Sequence, residues 1–149
     1  MIQEARVEVV ERVAQVLGGR AVLQRTVRTW VDLDRVVRAG LPKASLQMVA
    51  RHAVEEGDSA AELVYSVVPS ATFKRRDRLS LDESERTERL ARVIALAEAA
   101  WGDEDQARAF LNRPHPLLEG ETPLNVARTE LGARRVEGLL HDAEHGLPL

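Results

Sequence analysis

Three features of this sequence predict an all-α fold. Its 44% hydrophobic content is nearly all Ala, Val and Leu, aromatic residues are only 3%, and charged residues reach 30%. That mixture favours amphipathic helices over a sheet or an aromatic-lined pocket. The apolar residues recur at three- and four-residue spacing along most of the chain, and helix-starting and helix-stopping residues punctuate the stripes. With 149 residues the chain is the size of one ordinary domain or two very small ones, and it has enough apolar material for a core.

Val9, Val13, Val16 and Leu17 lie on one face of a first helix, which Gly18 and Gly19 stop. Residues 20 to 29 read as a connector. A short second helix covers Val31 to Ala39 with Gly40 as its left-handed terminator, and Pro42 opens a third at a tolerated first-turn position. Leu46, Val49, Ala50 and Ala53 form the third helix's buried stripe, and Gly57 ends it. Ser59 with Glu62 three residues on reads as a capping box for a fourth helix through Val64 and Val67. Pro69 and Ser70 begin a short basic segment anchored by Phe73.

A second capping box, Ser80 with Glu83, launches the longest helix, whose Leu90, Val93, Ile94, Ala97 and Trp101 share a face and are expected in the core. Gly102 closes it. Asp103, with Gln106 at the third position, caps a helix burying Ala107, Phe110 and Leu111. Asn112 to Glu121 reads as a rigid loop, punctuated by Pro114, Pro116 and Gly120. Thr122 and Pro123 start a short helix, and after Gly132 a last helix buries Val136, Leu139, Leu140 and Ala143 before Gly146. No repeat or low-complexity linker separates the halves, so they are expected to pack together.

The net charge of −3 hides an asymmetry. Residues 1 to 80 hold 13 Lys/Arg against 10 Asp/Glu, and residues 81 to 149 hold 8 against 14. Nucleic acid can therefore be a partner only of the first part. The absence of cysteine excludes disulfides, thiolate metal sites and a cysteine nucleophile, and suits a reducing cytoplasm. The N-terminus lacks a basic stretch followed by an apolar core, and no run approaches the ~20 apolar residues of a membrane span, so neither secretion nor membrane insertion is expected.

His141, Glu144 and His145 match H-x-x-E-H, the pattern of inverted zincins. Only four residues follow His145, and a third ligand and a cleft are still needed, so two surface histidines explain the match better. No GK[ST] follows Gly18 and Gly19, and no G-x-S-x-G frames a serine. Asp103 and Asp105 sit in a capping turn. No enzyme activity, cofactor or metal is expected.

Residues 59 to 78 have the layout of a helix-turn-helix: a short helix, a turn at Val68 to Pro69, then a basic helix. Ser70, Lys74, Arg75, Arg76 and Arg78 are its candidate DNA contacts.

From Ser80 onward the chain resembles the antitoxins of the Xre/MbcA/ParS family. The resemblance is carried by SLDESERTERLARVIALAEAAWGD (80 to 103), by AFLNRPHPLLEGETPLNVARTELGARRVEGLL (109 to 140) and by Gly146. A weaker upstream likeness at Gly40-Leu41-Pro42 and Lys74-Arg75-Arg76 is similar to the family's Xre-type helix-turn-helix. The resemblance implies an Xre-like helix-turn-helix region over residues 1–79 and a compact helical toxin-binding domain over residues 80–149.

It also implies a partner, a RES-domain toxin that consumes NAD or ADP-ribosylates, together with operator DNA and a homodimer inside a larger complex. The expected toxin contacts are Arg113, Pro114, Glu119, Gly120, Glu137, His141, Glu144, His145 and Gly146, with Leu147, Pro148 and Leu149 as a stiff peptide plugging the toxin's cleft. Two other readings stay open: a stand-alone helix-turn-helix regulator with a dimerising acidic half, and a zinc hydrolase built on His141, Glu144 and His145.

Overall fold

The structure, a computed structural model, describes residues 2–55 and 57–146, with side chains from Glu8 onward. The described residues form ten α-helices and one 3-10 turn, with no strand among them. The helices are α1 Ile2–Val16, α2 Gly19–Leu23, α3 Trp30–Arg38, α4 Lys43–Ala53, α5 Asp58–Val67, α6 Ser70–Arg75, α7 Leu81–Trp101, α8 Glu104–Leu111, α9 Pro123–Val126 and α10 Glu130–Glu144. None is long and apolar enough to cross a membrane.

The long α7 is the axis of the molecule. α1, α3, α4 and α5 pack on it from one part of the chain, and α8 and α10 from the other. Its middle is buried at Leu90, Ala91, Val93, Ile94, Ala95 and Ala97, so apolar side chains ring most of its circumference instead of forming one stripe. Its first turn is sealed by polar groups that are themselves buried and bonded. Ser80 and Glu83 exchange the two bonds of a capping box, the Ser84 hydroxyl accepts the Leu41 N–H at 2.9 Å, and Thr87 donates to the Glu83 carbonyl at 2.7 Å.

Most expected elements are present, and the differences have local causes. The connector after Gly19 contains the short helix α2. The described residues place the end of α4 at Ala53, and α5 starts one residue earlier than Ser59. Gly57, at φ 117°, leads into α5 with no side-chain cap, so Ser59 and Glu62 form no capping box. Pro42 stands just before α4 instead of in its first turn. Asp103 caps α8 by accepting the Asp105 N–H, without Gln106.

The last helix begins at Glu130 under a Thr129 cap, which puts Gly132 inside it, and Ala143 is only half-buried. Trp101 is not core: 39% of it is exposed, because α7 outruns its neighbours in its last turn. The loop before α4 is clamped to the stretch before α7 by a Pro42–Arg78 bridge and by the Leu79 N–H donating to the Leu41 carbonyl at 2.8 Å.

Gly132 lets the first turn of α10 lie directly against α9. A Cβ there would fall inside the Val126 carbonyl, a backbone atom that cannot swing aside. Gly132→Ala should therefore cost about 3 kcal/mol or more, at the upper end of overpacking penalties. A thermal melt of that variant matching wild type would show that α9 and α10 do not meet this closely.

Candidate functional site

The basic segment is positioned by its neighbours. Val67 and Val68 are buried at the end of α5, and Val68 adopts the extended conformation forced on a residue before proline. The chain then turns into α6. Phe73 is buried and meets Tyr65 edge-on, with ring centroids 6.1 Å apart. Lys43 of α4 lies over the Phe73 ring, 5.1 Å from its centroid, and donates to the Phe73 carbonyl at 3.1 Å.

The structure divides the expected DNA contacts. Lys74 and Arg75 are exposed and make no ion pair among the described residues. Arg76 Nη2 donates to both carboxylate oxygens of Glu83, at 2.8 and 2.7 Å. Burial pushes the Glu83 carboxyl up, but the Ser80 N–H and Arg76 outweigh it and hold the group below its ordinary value. Arg78 donates to the Gly40 carbonyl at 2.8 Å. Ser70 is half-buried in the first turn of α6. Two of the four cations thus serve the fold.

In the second half, Arg113 and Pro114 are exposed and line a cleft with Trp101, Phe110, His115 and Pro116. Trp101 leans on Phe110 with centroids 6.1 Å apart. The loop is tied by its own hydrogen bonds: the His115 ring accepts the Leu117 N–H at 3.1 Å, and the His115 carbonyl accepts from both Leu118 and Gly120. Both oxygens of Glu119 accept from Arg135 Nη2, at 2.8 and 2.7 Å. Gly120 follows at φ 80°.

Glu137 faces the other way, bonded to Arg92 of α7 at 2.6 Å. His141, Glu144, His145 and Gly146 are exposed at the end of α10. The expected contacts Leu147, Pro148 and Leu149 lie outside the described residues. Arg89 with Glu130 and Arg92 with Glu137 pair in the same chain order, so α7 and α10 run in the same direction. Trp101 and Gly146 therefore both lie where these two helices finish.

His141 and His145 stack, with centroids 4.3 Å apart, and His145 Nδ1 is spent on the His141 carbonyl at 2.8 Å. Among the described residues, three metal-capable ligand atoms gather instead at His52, Glu98 and Glu104, within 4.8 Å of one another. Two of the three are already satisfied as an interhelical pair, His52 Nδ1 to Glu98 at 2.8 Å.

The same junction carries further bonds between the two halves. Arg108 donates to the Arg51 carbonyl at 3.0 Å and the Asn112 amide to the Ala53 carbonyl at 2.7 Å, satisfying the free carbonyls at the end of α4. Sequence reasoning missed these contacts, because an Arg or Asn that bonds a carbonyl more than 50 residues away leaves no local pattern.

Residues 32–92, from α3 into α7, match the antitoxin Xre-like helix-turn-helix domain. Residues 96–146 match the antitoxin Xre/MbcA/ParS C-terminal toxin-binding domain. The chain belongs to the Xre/MbcA/ParS antitoxin family. A protein called Antitoxin Xre from Pseudomonas putida is 33% identical over 87 residues, which cover 56% of this chain and 55% of that protein. Another Antitoxin Xre, from Photorhabdus laumondii subsp. laumondii, is 36% identical over 73 residues, 48% of this chain and 49% of the relative. The matches thus span about half the length of these curated relatives. Within the family's two domains, α5–α6 falls inside the helix-turn-helix match, and the Trp101 cleft inside the toxin-binding match.

The junction between the halves should be pH-sensitive. The hydrogen bond that His52 donates to Glu98 raises the His52 pKa above 6.5, burial opposes it, the charges of Glu98 and Glu104 add to the rise, and Arg108 works against it. Because the folded value is the higher one, the pair's stabilisation is complete below the unfolded pKa and is lost as pH rises through the folded pKa. The melting-temperature gap between wild type and Glu98→Gln should be widest near pH 5.5 and shrink by about pH 8.5. A gap that is constant across that range would show that His52 is never charged here.

Proposed function

We propose that this chain is a non-catalytic antitoxin that binds its own operator through α5 and α6 and silences a toxin with its C-terminal domain. One observation carries the reading: Lys74 and Arg75 stand free on a short helix at the recognition position, on a framework packed against a domain matched as toxin-binding. The toxin we propose is a RES-domain protein that consumes NAD or ADP-ribosylates. The acidic second half complements a cleft basic enough to hold a pyrophosphate.

The docking surface is the end of the molecule where α7 and α10 finish. Trp101 and Arg113, side chains of the kind that dominate interface energetics, flank the cleft with Pro114. The stacked His141 and His145, with Glu144, form the second shoulder, and Gly146 to Leu149 reaches into the toxin's active site. Glu119 and Glu137 act indirectly, by holding the loop through Arg135 and α10 against Arg92. As a homodimer the chain would present two recognition helices to a two-fold operator.

Two substitutions separate the functions. Lys74→Glu with Arg75→Glu should weaken binding to the chain's own promoter by on the order of 100-fold at low salt, and leave toxin binding intact. Promoter affinity that survives unchanged would remove α6 from the DNA. Trp101→Ala should cost less than the ~3–5 kcal/mol of a fully buried aromatic, yet weaken the complex with co-expressed toxin about 30-fold. Full toxin affinity in that variant, or no toxin captured by wild type from the neighbouring open reading frame, would overturn the docking surface or the antitoxin reading respectively.

A further inference from the structure

We propose that Arg86 and Arg128 form a binding site for a backbone phosphodiester at the turn of the helix-turn-helix, so that the C-terminal domain, through Arg128, adds its own grip on the operator. The inference rests on the DNA-binding reading above. Arg128 lies between α9 and α10, yet its Nη1 donates to the Ser66 hydroxyl in the last turn of α5 at 2.7 Å, a contact across 62 residues. Arg86, from the second turn of α7, donates to the Val67 carbonyl at 3.1 Å. Both guanidinium groups thus meet just before the Val68–Pro69 turn that leads into α6.

A cation near the end of a helix is favourable, and two gather at the end of α5. Arg86 has an ion pair with Asp82 at 3.1 Å, although that carboxylate is mostly exposed. Arg128 makes no ion pair among the described residues, and its nearest acceptor is a neutral hydroxyl. Nε of each arginine is buried without a partner, as it also is in Arg76 and Arg108, so what sets this place apart is the charge balance. Arg128 is the exception among the half-buried arginines described: Arg76, Arg86, Arg89, Arg92 and Arg108 each hold a carboxylate. Burial and the repulsion of Arg86 together lower the Arg128 pKa, the mark of a charge lacking its counter-charge.

An anion with several acceptor oxygens would supply that counter-charge, and a phosphodiester matches the guanidinium fork. The place suits it. α6 is six residues long, about 9 Å, and fits a major groove about 12 Å wide. Arg86 and Arg128 then stand at the end where α6 begins, and Lys74 and Arg75 at the end where it finishes, facing opposite phosphate walls.

The test is a salt series of full-chain binding to its own promoter duplex. Arg128→Gln should lower the slope of log K against log[salt] by about 1, and weaken binding roughly tenfold at low salt, whereas Arg128→Lys should keep most of the slope. Without DNA the glutamine variant should melt no lower than wild type, since a repulsion is removed. If it fails to fold, Arg86→Gln carries the same slope readout.

An unchanged slope alongside normal wild-type binding overturns this site and leaves the DNA reading standing. Failure of wild type to bind the duplex overturns both. Inorganic phosphate tests the other source: if 10 mM phosphate stabilises wild type but not Arg128→Gln while the DNA slopes agree, the site holds a free anion and the operator contact is wrong.

Discussion

The architecture depends on burying α7 from all sides. A 21-residue helix is about 32 Å long, and one whose middle is apolar around most of its circumference cannot be covered by one neighbour. Each buried Leu, Val or Ile on it is worth roughly 1.5–3 kcal/mol only if water is kept off every side. α1, α3 and α4 supply one wall, α8 and α10 the other. The family's two domains therefore share a core helix: the first match ends at residue 92 and the second begins at residue 96, both within α7.

That sharing explains where the polar bonds go. Helices α4 and α5 end against the C-terminal half, and their last carbonyls would be stranded without donors. Arg108, Asn112 and Arg86 reach those carbonyls, and Arg128 reaches the Ser66 hydroxyl beside them. Long side chains from one half thus complete the helix ends of the other. The Trp101 end of α7 and the helices α5 and α6 are thus joined through one continuous helix instead of a linker.

The charge asymmetry of the sequence looks different once folded. Part of the acid of the second half is spent on cations of the same chain. Glu88, Glu130 and Glu137 converge on Arg89 and Arg92 along the seam between α7 and α10. Burial raises the Glu88 pKa and the facing Arg92 only partly offsets it, so this network fixes which helix faces which more than it adds stability. Glu119 is likewise tied to Arg135. The acids left free for a partner are fewer than a count predicts.

The sequence alone determined the helical class, the Ser80–Glu83 box, the terminators Gly40, Gly102 and Gly146, the stripes of α4 and α7 and the likeness to the antitoxins. Each is set by contacts within about one helical turn or by residue spacing, which a linear reading contains. It could not determine where α5 begins, because Gly57 reaches a positive φ that composition does not announce. Nor could it show that α7 outruns its neighbours and exposes Trp101, since a helical stripe says which side is apolar and not how far the cover extends. Only the tertiary structure decided which cations are free. Lys74, Arg75, Arg76 and Arg78 are alike in sequence, but the docking of α7 brings Glu83 to Arg76 and the loop before α4 brings the Gly40 carbonyl to Arg78. A charge becomes available or spent through neighbours that are distant in the chain.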